Sequence, residues 1–92
     1  MARSAAAVVA LESGSEFPFD APDAWWHRED EPVPPPAKDW AHRAARGVLY
    51  NLSDRRGIKQ GLQVLSIDED TRIEIVDALA AIIREAARGK VE

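Results

Sequence analysis

Residues 49–70, LYNLSDRRGIKQGLQVLSIDED, place a basic turn around Arg55, Arg56 and Lys59 between two helix-forming segments, and the fold follows from what flanks that turn. On its N-terminal side, Asp39 is a good N-cap and is followed by WAHRAARGVLYNL, where Ala41, Ala44, Ala45, Val48, Leu49 and Leu52 recur at steps of three and four. This spacing predicts an amphipathic helix whose opposite face carries His42, Arg43, Arg46 and Tyr50. The small residues Ala41, Ala44, Ala45 and Gly47 would let a second helix approach closely, so the helix is expected to be sandwiched.

On the C-terminal side, Ser66-Ile67-Asp68-Glu69 reads as a capping box, with acidic residues in the first turn where the helix dipole favours them. The helix it opens runs to about Arg88 and is ended by Gly89. Ile73, Val76, Leu79, Ala80, Ile83 and Ala87 form one apolar stripe, and Ile75, Ile82 and Ala86 widen it beyond what a single neighbour covers. A homodimer or higher oligomer is the expected consequence. Between the two helices, Gly57 is a helix-ending signal, and Ile58, Leu62 and Leu65 suggest a short further helix; a single bent helix running through Gly57 is the alternative.

Residues 1–38 differ in composition. All six prolines fall between positions 18 and 36, and Pro34, Pro35 and Pro36 predict an extended polyproline spacer. Residues 5–11, AAAVVAL, are too short and too weakly flanked by basic residues for a membrane span or a secretory signal; they read as a short helix or strand that docks on something and is broken by Ser13-Gly14-Ser15. Phe17, Phe19, Trp25 and Trp26 sit among Glu16, Asp20, Asp23, Glu29, Asp30 and Glu31. A disordered tail rarely carries four aromatic rings. Two readings stay open: the rings pack back on the protein's own helices, or they form an acidic aromatic arm that inserts into a partner, with Phe17, Phe19, Asp23, Trp25, Trp26, Glu29 and Asp30 as the contact residues.

The expected architecture is therefore all-α. Two to three helices, as a hairpin or small bundle over residues 39–92, carry an acidic, Pro-rich, aromatic N-terminal arm over residues 1–38. A chain of 92 residues buries only about 60–65% of the surface that its unfolded form exposes, so stability is marginal without added contacts. The formal charge of −4 lies entirely in residues 1–38, because residues 39–92 hold nine acids and nine bases. The chain has no Cys, which removes disulfides, thiol catalysis and thiolate metal sites and suits a reducing cytoplasm.

Residues 39–62, DWAHRAARGVLYNLSDRRGIKQGL, followed by IDEDTRIEIVDALAAIIREA, resemble a group of small proteins without assigned function encoded in bacterial genomes and prophages. The resemblance spans roughly residues 39–87 and implies a phage or mobile-element setting, in the host bacterial cytoplasm, where small acidic proteins often block host machinery, defence systems included. It transfers no site residues.

Function classes can then be weighed. His42 with Asp39 or Asp54 has no Ser or Cys nucleophile at a suggestive spacing, so an enzyme is not expected. No metal-ligand spacing involves His27 or His42, no cofactor motif is present, and an acidic chain is poorly suited to direct nucleic-acid binding. The main expectation is a non-enzymatic inhibitor or adaptor that covers a surface of a host protein, anti-CRISPR-like or otherwise anti-defence. The alternative is an oligomer that sequesters a nucleotide messenger, with Arg55, Arg56 and Lys59 on the phosphates and Tyr50 or a Trp against the base. Pairing of the basic turn with acids such as Asp68 and Asp70 is the structural alternative to both.

Overall fold

The computed structural model describes residues 4–28, 30 and 33–89. The fold is all-α: among these residues there are four helices and no strand. Helix α1 is Ala5–Glu16, the one-turn α2 is Asp23–Trp26, α3 is Trp40–Ser53 and α4 is Glu69–Gly89; two 3-10 turns, Lys59–Leu62 and Val64–Ser66, bridge α3 and α4. No described helix is long and apolar enough to cross a membrane.

Helix α3 forms as its spacing predicts. The Asp39 carboxylate accepts the His42 N–H at 2.9 Å, and the helix is sandwiched, with α1 on one side and α4 on the other. The buried face, however, is Ala41, Ala45, Arg46, Gly47 and Leu49, while Val48 is exposed and Ala44 and Leu52 are half-buried. Arg46 therefore does not belong to the solvent face.

Helix α1 corrects the expected break at residues 13–15. It begins at Ser4, whose hydroxyl accepts the Ala7 N–H, and continues through Ser13, Gly14 and Ser15, with the Ser15 hydroxyl donating back to the Leu11 carbonyl at 3.0 Å. Gly14 is there for proximity: a Cβ added to it would stand 2.7 Å from the Cα and the N of Gly47. The two backbones touch at that crossing, and one added to Gly47 would meet the Ala10 carbonyl oxygen at 3.2 Å.

After Ser53 the chain reverses at Gly57, whose φ of 89° lies in the left-handed region that side chains disfavour. A single bent helix is thus excluded. The further helix expected over 58–65 is two 3-10 turns separated by Gln63 in an extended conformation. Helix α4 starts later than the capping box implies. Ser66 ends the second turn, Ile67 is extended, and Asp68 is the cap, accepting from the Thr71 N–H at 3.1 Å and the Thr71 hydroxyl at 2.7 Å.

The core joins both halves of the chain. Phe19 from the N-terminal segment is fully buried with Ala41, Ala45 and Leu49 of α3, Val64, and Val76 and Ala80 of α4. A boundary at residue 38 therefore does not separate two packing units, because α1 packs on α3 and Phe19 is buried with residues of α3 and α4.

Gly14→Ala should lower stability by roughly 1–3 kcal/mol in urea unfolding, the usual cost of forcing volume into a tight contact. Gly61→Ala, which meets nothing within 4 Å, should change it little. Equal effects would mean that the crossing is not close.

Candidate functional site

Two arginines decide where the N-terminal segment lies. Arg72 of α4 is fully buried; its Nη1 donates to the carbonyls of Phe19 (3.0 Å) and Ala21 (2.6 Å), its Nε to that of Ile67 (3.0 Å), and its Nη2 to the Asp23 carboxylate. Arg46 of α3 donates from Nε to Asp20 (2.7 Å) and from Nη1 to the Pro35 carbonyl (2.7 Å). Glu69 adds a contact, accepting the Asp23 backbone N–H at 2.8 Å. The guanidinium is suited to this role because it offers five donors in a fixed plane. Sequence reasoning missed both. For Arg72 a signal existed, since it stands four and eight positions before Val76 and Ala80 on the buried stripe of α4.

The expected arm residues are redistributed accordingly. Phe19 is core, and Asp23 is bonded to Arg72. Trp25 is half-buried, with its indole N–H donating to the Val33 carbonyl at 3.3 Å. Trp26 is also half-buried, edge-on to Trp25 (4.9 Å between centroids) and to Phe17 (5.1 Å). Its own indole nitrogen is buried without an acceptor among the described residues. Asp30 is exposed and paired with Arg28 at 2.8 Å, and Glu29 lies outside the described residues. The rings thus pack back on the protein, and the segment is clamped rather than held away from the helices by its prolines.

That packing creates a groove. Phe17, Trp26 and Tyr50 meet the first bridge between α3 and α4, with Phe17 edge-on to Tyr50 at 6.1 Å. Leu62, Val64 and Leu65 complete an apolar cleft of about 460 Å³, within the range of ligand-binding clefts. Lys59, Gln63, Asp54 and Ser53 supply its polar edge. Four residues that the sequence assigned to two separate sites, Phe17 and Trp26 to one and Tyr50 and Lys59 to the other, therefore line one cleft. Arg55 and Arg56 are exposed on the same turn, and Arg55 donates to the Asn51 side chain at 3.0 Å. Among the described residues, no carboxylate pairs with Arg55, Arg56 or Lys59. The alternative pairing with Asp68 and Asp70 is not made among the described residues, and Asp68 instead caps α4.

A second polar cluster joins α3 to α4. His42 Nδ1 faces Asp39 at 2.8 Å and Nε2 faces Asp77 at 2.9 Å; Arg84 also pairs with Asp39 and lies over the Trp40 ring, and Lys38 reaches Asp77 at 3.6 Å. With a carboxylate at each ring nitrogen, the charged imidazolium is the form that fits. Its hydrogen bond to Asp39, and then that to Asp77, raise the His42 pKa against the opposing effect of burial. The same His42 contacts hold Asp39 well below the usual carboxylate range, with Arg84 contributing, and also lower Asp77. Among the described residues, no three His, Asp or Glu side chains are placed to share a metal ion.

These shifts set a pH window. The raised His42 value contributes stability below the ordinary 6.5, which is lost as pH rises through the folded-state value above it. The lowered Asp39 and Asp77 values contribute above the ordinary 3.8, and that part is lost as pH falls. Urea midpoints should therefore fall from pH 6 toward pH 9, and His42→Gln should flatten that decline. For the clamp, Arg72→Met should lose about 3–5 kcal/mol, because it strands buried carbonyls and unpairs Asp23, and native tryptophan emission should shift to the red.

Comparison of the chain with protein families, with curated proteins and with solved structures finds no match.

Proposed function

We propose that this is a non-enzymatic binding protein that acts by occupying a surface of a larger protein, with the aromatic groove as the point of contact. One observation carries the proposal: Phe17, Trp26 and Tyr50 line an open apolar cleft whose basic edge has no carboxylate partner among the described residues. Clustered rings in a cleft supply the buried anchors on which partner affinity usually depends. In a phage or prophage setting the consequence of such binding is inhibition of a host protein in the host cytoplasm, with defence systems as the natural class of target.

Self-association is part of the proposal. On α4 the large apolar residue open to a second copy, among the described residues, is Ile82, which is 64% exposed, whereas Ile83 is packed against the core. Sequestration of a nucleotide is a second reading, favoured by the placement of Tyr50 and Lys59 on the same cleft.

A photo-crosslinking residue at Leu65, which lines the groove and is 67% exposed, tests the main reading in a bacterial host. It should form an adduct with a larger protein that the same probe at exposed Val9 of α1 does not form. Equal labelling from both positions, or none from Leu65, would remove the groove as the contact site.

A further inference from the structure

We infer that the groove takes an acidic, apolar segment of its partner protein: a bulky aromatic or aliphatic side chain in the cleft, with an adjacent Asp or Glu on the basic turn. The inference rests on the groove being the partner-binding surface, and it adds the chemistry of the occupant.

The distribution of paired and unpaired charge is the first argument. Arg28, Lys38, Arg46, Arg72, Arg84 and Arg88 each face a carboxylate. Arg43, Arg55, Arg56 and Lys59 face none among the described residues, although the chain as a whole has an excess of acids, and three of these four sit together on the turn beside the cleft. Positive charge is thus left uncompensated beside the aromatic cleft, where Asp54 is the opposing acid. An incoming carboxylate would be drawn to this turn.

The second argument is that the protein already binds a segment of this kind. Residues 17–26 are themselves acidic and aromatic. Phe19 enters the core while Asp20 and Asp23 fall on Arg46 and Arg72. The groove adjoins that docked segment, since two of its rings, Phe17 and Trp26, come from it. A second segment of like chemistry would extend the same mode of recognition.

A nucleotide fits less well. Of the three cations of the turn only Lys59 lies on the cleft wall, with Arg55 and Arg56 outside it, an arrangement that suits side chains spaced along an extended peptide better than phosphates attached to one base.

Selection of a displayed library of random 12-residue peptides on the immobilised full chain tests this directly. Recovered peptides should be enriched in Phe, Trp or Leu next to Asp or Glu. A synthetic version of the selected peptide should lose at least about tenfold in affinity to Arg56→Glu plus Lys59→Glu, and a version with Lys in place of its acids should bind that variant better than wild type. Both substituted positions are exposed, and an unchanged circular dichroism spectrum would verify the fold. Basic or charge-neutral peptides, no enrichment over an unrelated helical protein, equal binding to the charge-reversed variant, or displacement of the peptide by ATP at comparable concentration would each overturn the inference. If Leu65 still crosslinks a partner in cells after any of these results, the groove reading survives and only the acidic occupant fails.

Discussion

The structure depends on one buried guanidinium. Arg72 uses four of its five N–H donors, on three backbone carbonyls and the Asp23 carboxylate, and no part of its side chain reaches solvent. Removing this charge from water costs several kcal/mol, and only near-complete hydrogen bonding offsets it. The prolines confine regular helix in this segment to the single turn of α2, so the carbonyls of Phe19 and Ala21 need external donors, and Arg72 supplies them beside the buried Phe19.

Arg46 repeats the arrangement on α3, with the same division between a carboxylate and a carbonyl. It is next in sequence to Gly47, where α1 crosses α3. Because Gly14 and Gly47 let α1 and α3 touch at the backbone, α1 covers the side of α3 that would otherwise be solvated.

The groove is a by-product of these two constraints. The clamped segment brings Phe17 and Trp26 over Tyr50, and the reversal at Gly57 lays the 3-10 turns against them instead of a regular helix. Short 3-10 turns leave side chains less evenly covered than α-helix does. Leu65 and the basic turn remain exposed for that reason, so the least regular part of the backbone is also where apolar and cationic groups stand open together.

The amino-acid sequence by itself determined the helical class, the span of α3 with its Asp39 cap, the body of α4, and, within the run Ala41, Ala44, Ala45 and Gly47, the close approach of another helix, made at Gly47. Each of these is a local pattern, readable because helix periodicity and capping act over three or four residues. Shifted or unread were the cap of α4, moved from Ser66 to Asp68, the passage of α1 through Gly14, and the 3-10 bridge, where competing local signals are close in energy. Only the tertiary structure decided whether Phe19, Trp25 and Trp26 face a partner or the protein's own helices. The deciding contacts join residues as far as 53 positions apart, and a charged Arg72 on an apolar stripe has no favourable environment until those distant carbonyls arrive.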